Sequence, residues 1–256
     1  MAVYNVRDKE TIAPLFDGWQ ETFIWSCLQN CMGEAYADNL ENPQSAEIIL
    51  GDFCCLAGLV NHEIIRNKPA NHHSDFIIMV PQNKQWEEAV ELVFQEKAFR
   101  RMRYATKKEK NTFNTHTLQA LVSQLSEKYE LKMIDKDLYE QSRALPWSKD
   151  LCGNYSCYED YRINGLGTAV LKNGALVSGA SSYAFYNGGI EVEIDTREDE
   201  RRKGLALACG AKLILECLER NLYPSWDAYN KESLALAEKL GYVFEKEYPA
   251  YEIIGF

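Results

Sequence analysis

The chain has 256 residues, 46% of them hydrophobic and 26% charged, with 28 Lys and Arg against 38 Asp and Glu and a formal charge of −10. This is the composition of a globular protein with a sizeable core, one large domain or two of ordinary size, and its acidity excludes nucleic acid as a general partner because phosphate backbones need a basic face. The longest apolar run, Phe53 to Val60, is too short for a bilayer, and Met1 to Asp8 holds no signal-peptide core, so a cytoplasmic protein without a membrane role is expected.

In the first half, Ala46 to Leu50, Phe53 to Leu59 and Phe76 to Val80 are strand-like. Pro81 then leads into an amphipathic helix over about Gln85 to Glu96. Two basic runs follow, Arg100-Arg101-Met102-Arg103 and Lys107-Lys108-Glu109-Lys110, which read as a solvated strand edge or loop, with a cleft lining as the second reading. The cysteines at 27, 31, 54, 55, 152, 157, 209 and 217 form no C-x-x-C pair, and the histidines at 62, 72, 73 and 116 have no ligand spacing around them. Reduced, mostly buried thiols and no metal are expected.

The second half alternates more regularly. Tyr129 to Ile134 predicts a strand, Asp137 to Arg143 a short helix, and Leu145 to Asn164 an irregular stretch. Gly167 to Leu171 and Ala175 to Tyr186 are strands joined through Asn173-Gly174, a dipeptide suited to a tight hairpin. Ile190 to Ile194 alternates at the strand period, which puts Glu191 and Glu193 on one face. Leu205, Ala208, Cys209, Leu213, Ile214, Cys217 and Leu218 recur at helical spacing. Tyr223 to Ala228 predicts a strand, Lys231 to Lys239 a helix capped by Asn230 and stopped by Gly241, and Tyr242 to Ile254 two strands broken near Pro249.

Between strand and long helix stands Glu200-Arg201-Arg202-Lys203-Gly204-Leu205-Ala206. A helix opening at about Arg202 presents unpaired N–H groups, and such an end attracts anions. Gly204 has no Cβ to keep a phosphate from the backbone, Ala206 is the next smallest choice, and Arg201, Arg202 and Lys203 add positive charge. The segment suits a pyrophosphate.

These residues carry a resemblance. Arg201-Arg202-Lys203-Gly204-Leu205-Ala206 fits the Arg/Gln-x-x-Gly-x-Gly/Ala signature of the GCN5-related N-acetyltransferases (GNAT). Asn230, Ser233, Leu236, Lys239, Gly241 and Tyr242 resemble that family's Asn-x-x-Ala-x-x-Leu-Tyr-x-Lys-x-Gly-Phe block. Trp226-Asp227-Ala228-Tyr229-Asn230, with Leu240-Gly241-Tyr242, is similar to the subgroup that includes the zwittermicin self-resistance acetyltransferase.

The resemblance implies an α/β (α+β) fold: a mixed, mainly antiparallel sheet flanked by helices. A catalytic domain is expected over 129–256 and an N-terminal α/β domain, a degenerate GNAT-like copy or an unrelated cap forming part of the acceptor pocket, over 1–128. It implies acetyl-CoA as cosubstrate, with the pyrophosphate at Arg201 to Ala206, the pantetheine arm along Ile194, Asp195 and Thr196, backbone N–H near Val192 to Ile194 polarising the carbonyl, and Asn230 and Ser233 near the cofactor. The expected partner is a small-molecule amine, such as an amino-containing antibiotic or metabolite, with a homodimer left open. Glu193, then Glu191, are the candidate bases. The family's tyrosine acid falls at Ala237, so Tyr242, Tyr229 or Tyr183 would have to serve, or no acid is used. A cofactor-binding sensor and a protein N-acetyltransferase are the alternative readings.

Overall fold

Asn173 and Gly174 have φ of +52° and +80°, the pair of left-handed residues that a two-residue hairpin requires. The computed structural model describes residues 2–109 and 111–256, so Met1 and Lys110 of the runs named above lie outside the described residues. The chain divides into two compact units, Met1–Arg103 with Glu247–Phe256, and Tyr104–Lys246. Residues 104–128 therefore belong with the second unit and the last ten residues with the first.

In chain order the elements are β1 (Tyr4–Asn5), α1 (Thr22–Leu28), β2 (Glu34–Ala37), β3 (Ser45–Leu50), β4 (Phe53–Gly58), α2 (His62–Ile65), β5 (Phe76–Pro81), α3 (Lys84–Phe94) and β6 (Ala98–Thr106). The second half adds α4 (Thr115–Ser123), β7 (Glu130–Met133), α5 (Lys136–Ala144), α6 (Tyr158–Asn164), β8 (Gly167–Lys172), β9 (Ala175–Tyr186) and β10 (Gly189–Thr196). It ends with α7 (Leu205–Glu219), β11 (Tyr223–Ser225), β12 (Asp227–Ala228), α8 (Lys231–Leu240) and β13 (Phe244–Ile254).

In the first unit the strands run β1-β2-β3-β4-β5-β13. The pairings are antiparallel from β1 to β4, parallel between β4 and β5, and antiparallel between β5 and β13. Strands β7 to β11 of the second unit repeat the same series, three antiparallel pairings and then a parallel one. The core of the second unit lies between this sheet and α7, with Val170, Val177, Ala180, Ile190 and Val192 meeting Leu205, Cys209, Leu213, Ile214 and Cys217. Helix α7 sits close: a Cβ on Gly210 would come within 2.8 Å of Leu240 Cδ1 and 3.1 Å of Ile194 Cδ1.

Several expectations are corrected. In place of two strands over 242–254 there is one, Phe244–Ile254, and Pro249 lies outside its stretch Tyr251–Ile254 that pairs with β5. Residues 223–228 break into two strands at Trp226, and 145–164 contains α6. Of the basic run, Arg100 pairs with Glu87 (3.3 Å), Arg101 with Glu252 (3.0 Å), and the buried Arg103 guanidinium lies 4.8 Å from the Phe53 ring centre. The cysteines agree with expectation: all eight are free thiols, and only Cys31 and Cys157 are not buried.

Candidate functional site

Strand β10 is paired along its whole length on one side and only in part on the other. Its parallel ladder with β11 covers Gly189 to Glu191 and stops. Trp226 turns the chain away: its carbonyl accepts Thr106 Oγ1 (2.7 Å), its indole Nε1 donates to Ser233 Oγ (3.2 Å), and the following residues Asp227 and Ala228 pair with Ala105 and Tyr104. A fork opens between β10 and β12. On the paired side the β9 register shifts between Glu191 and Val192, opposite Ala184 and Ser182, a bulge centred on Tyr183. Beyond the bulge Arg197 N–H donates to Val177 O (2.9 Å). By antiparallel alternation Glu193 and Asp195 direct their backbone groups to β9, whereas Ile194 and Thr196 direct theirs to the open edge, the Val192 N–H being taken up by the last rung of the β11 ladder. The three positions predicted to line the pantetheine arm, Ile194, Asp195 and Thr196, thus fall on the part of β10 beyond the β11 ladder.

The edge leads into the turn. Helix α7 begins at Leu205 rather than Arg202, because Arg202 (φ +60°) and Gly204 (φ +79°) are left-handed. Among the described residues the first backbone-bonded amide of the helix is Ala208, to Gly204 O (3.0 Å), so the N–H groups of Leu205, Ala206 and Leu207 have no carbonyl acceptor. A Cβ built on Gly204 meets nothing within 4 Å. Alternating left-handed residues ahead of a helix N-terminus make a concave amide nest that suits phosphate oxygens.

The basic side chains do something other than expected. Lys203 Nζ folds back to Asp199 O (2.7 Å) and Glu200 Oε2 (2.9 Å), and Arg201 Nε donates to Thr196 O (3.2 Å). Arg202 is exposed at the rim. What anchors the turn is Glu200, 1% exposed, which accepts Tyr129 OH (2.6 Å), Lys172 Nζ (2.5 Å) and Lys203 Nζ. Hydrogen bonds from Lys172, then Tyr129 and Lys203, hold its carboxyl down to about 2. Asp199 pairs with Arg197 (2.6 Å), so of the acidic triplet Glu198, Asp199 and Glu200 that precedes the turn, two members are neutralised by cations.

Glu200→Ala is expected to lower the melting temperature, since two ammonium groups and a phenol lose their acceptor. The carboxyl sits below its ordinary value of 4.5. Its stabilisation is therefore full above that value and fades as the pH falls toward 2. Melting curves of the two proteins should differ at pH 7 and converge in strong acid.

The candidate carboxylates separate. Glu191 is buried, and its Oε1 accepts the Asp227 N–H (2.8 Å) across the fork. It braces β12 against β10. Glu191→Ala would leave that amide unmet at a cost of about 1–3 kcal/mol, whereas Glu191→Gln keeps an acceptor oxygen and should recover most of the loss in urea denaturation. Glu193 is only half-buried. Burial, with the Asp150 charge adding to it and Arg201 opposing it, pushes Asp195 up to about 6. Asp150 lies in the turn Lys149–Leu151 that packs on β9 and β10.

The hydroxyl candidates change more. Tyr242 is buried in the core, donates to Pro224 O (2.7 Å) and packs edge-on to Phe113 and Trp226, so its proton is committed. Ala237 is fully buried. Tyr229 is exposed, and Tyr183 is the buried bulge residue. Asn230 accepts Ser233 N–H (2.8 Å) and caps α8 as expected, while Ser233 Oγ holds the Trp226 indole. Among the described residues no group of three or more His, Cys, Asp or Glu has a metal-holding arrangement.

The corresponding edge of the first unit is closed. Strand β4 pairs with β5 from Phe53 to Leu56, Gln82 N–H continues the ladder to Leu56 O (3.1 Å), and Gln82 Oε1 accepts Gly58 N–H (3.0 Å). Among the described residues, only the second unit combines an open fork with a phosphate-type turn.

A strand that splays from its parallel neighbour and feeds an amide-lined turn defines a class of acyl-transfer scaffold. The chain belongs to the GNAT acetyltransferase family, whose profile matches residues 13–251, and is by class an N-acetyltransferase. It is similar to the uncharacterized N-acetyltransferase YdfB of Bacillus subtilis (strain 168), 27% identical over 92% of this chain and 91% of that one. The crystal structure of a GCN5-related N-acetyltransferase-like protein from Streptococcus suis 89/1591 is 46% identical and superposes with a TM-score of 0.91 over 96% of this chain and 98% of the other. A tandem GNAT protein from the clavulanic acid biosynthesis pathway shares the fold at a TM-score of 0.52 and 9% identity, covering 100% of this chain and 99% of its own.

Proposed function

We propose that the chain transfers an acetyl group from acetyl-CoA to the primary amine of a small molecule. The observation that carries this reading is the fork: from Ile194 onward the β10 edge offers backbone donors and acceptors with no strand opposite, and it ends at the α7 amides. Those groups fit a pantetheine arm and a pyrophosphate in sequence. Gly204, the α7 amides and the rim arginine Arg202 hold the phosphates, the backbone from Ile194 to Thr196 holds the arm, and the outward N–H of Ile194, the first past the β11 ladder, polarises the thioester carbonyl.

On this reading Glu193 takes a proton from the ammonium, the freed nitrogen attacks the carbonyl carbon, the C–S bond breaks with its electron pair going to sulfur, and the nitrogen sheds its second proton to water as the neutral amide forms. Glu191 acts through the backbone by keeping the fork open. Glu193, Asp195 and Asp150 make this part of the protein acidic, which favours a cationic amine, and the likeness to the self-resistance subgroup directs the choice toward amino-containing antibiotics and metabolites. The N-terminal unit, with a sealed edge, is on this reading a duplicated half that has no cofactor of its own. Release of free thiol from acetyl-CoA across a panel of small amines tests the reaction. At least one amine should exceed background hydrolysis by tenfold or more, and transfer confined to lysines or N-termini of proteins would overturn the acceptor class.

A further inference from the structure

Among the described residues, Ser225 Oγ is the one buried side-chain nitrogen or oxygen with no hydrogen-bond partner. Buried hydroxyls are nearly always bonded, and leaving one unmet is costly, so this one calls for an explanation. Its position supplies one. Ser225 ends β11 and stands opposite Glu191 on the last rung before the fork. Residues opposite one another in a ladder project from the same face, so the hydroxyl and the Glu191 side chain share the apex. The Glu191 carboxylate reaches past it to the Asp227 amide. Three neighbouring groups at the apex are engaged: the Trp226 carbonyl by Thr106, its indole by Ser233, and the Pro224 carbonyl by Tyr242.

The rest of the argument depends on the cofactor reading above, which puts the thioester at this apex beside Ile194. The reaction then generates a thiolate there, and the helix position that could carry a phenol holds the buried Ala237. We propose that the Ser225 hydroxyl is the hydrogen-bond donor to the sulfur of coenzyme A and stabilises the departing thiolate. In the step, Glu193 takes one proton from the ammonium, the N–C bond forms, the C–S bond breaks with its electron pair going to sulfur, and the second proton that the nitrogen sheds in becoming a neutral amide passes to water. The serine proton stays on its oxygen, because an alcohol is a far weaker acid than a thiol. A charge-assisted hydrogen bond to the thiolate suffices.

Free coenzyme A is the probe, which makes the test independent of the acceptor. The ultraviolet absorbance of the thiolate is followed against pH for coenzyme A bound to the full chain and to Ser225→Ala. In the native protein the bound thiol should be more acidic than an ordinary thiol, whose pKa is about 8.5, and in Ser225→Ala about tenfold less acidic than in the native complex. Affinity at pH 6.5, where the thiol is protonated, should stay within about twofold, and the melting temperature should not fall, since an unmet hydroxyl has been removed. Ser225→Cys, a weak donor of nearly the same volume, should give an intermediate acidity and serves if the alanine variant does not fold. Equal thiol acidity in native and variant overturns the proposal and leaves the cofactor reading standing. Affinity and stability falling together indicate packing and also overturn it. Failure of the native protein to bind coenzyme A is a separate result that removes the cofactor reading and this proposal with it.

Discussion

Gly204→Glu should weaken acetyl-CoA binding by at least about a hundredfold, a loss of roughly 2.7 kcal/mol. Two effects combine. At φ +79° any side chain is in a left-handed conformation costing about 1–2 kcal/mol, which acts mainly on stability. The new carboxylate also enters the space beside the α7 amides that the protein leaves open, and opposes the pyrophosphate by both charge and volume. Gly204→Ala separates these effects. It carries the same backbone cost without the charge, so its melting temperature should match that of the glutamate variant while its affinity falls far less. Calorimetric titration of both variants measures the difference, and equal affinities would remove the pyrophosphate from this turn.

Glu193→Gln should lower kcat by about 10² to 10⁴ at neutral pH, the range of general-base contributions. The size of the effect follows from the acceptor. A primary amine with a pKa near 10.4 is unprotonated in roughly one molecule in 2,500 at pH 7 but in roughly a quarter at pH 10. A base on the enzyme therefore matters most at neutral pH, and the gap between native and variant should narrow as the pH rises. A loss that is uniform across pH would mean that Glu193 supports packing. Asp195, held at about 6, gives a second readout: if it relays the proton, Asp195→Asn should remove a limb of the kcat/KM profile near pH 6.

The strand, turn and helix over 189–219 were legible because their signals are local: strand alternation, a glycine at a left-handed position, and an apolar face at helical spacing. The caps at Asn230 and Gly241 were legible for the same reason. The working parts of the site were not. Glu200 stands in an acidic triplet that reads as solvated, and its partners Lys172 and Tyr129 lie 28 and 71 residues away. The fork was hidden because Tyr223 to Ala228 is one continuous strand by pattern. It divides only because Thr106 and Ser233, from elsewhere in the chain, hold Trp226. Tyr242 matched a motif position, yet its hydroxyl is fixed by a carbonyl 18 residues earlier. In the first unit α2 has four residues, too few for periodicity to register. Strand β6 carries arginines whose carboxylate partners come from α3 and β13.

The most direct test of the account is calorimetric titration of the native protein with acetyl-CoA, which needs no knowledge of the acceptor. Binding at micromolar affinity, about −8 kcal/mol, with one site per chain, is the predicted result, because among the described residues only the second unit has an open edge and a phosphate-type turn. No heat of binding from folded protein would contradict the assignment of the fork and turn to this cofactor, and two sites per chain would contradict the closed edge of the first unit.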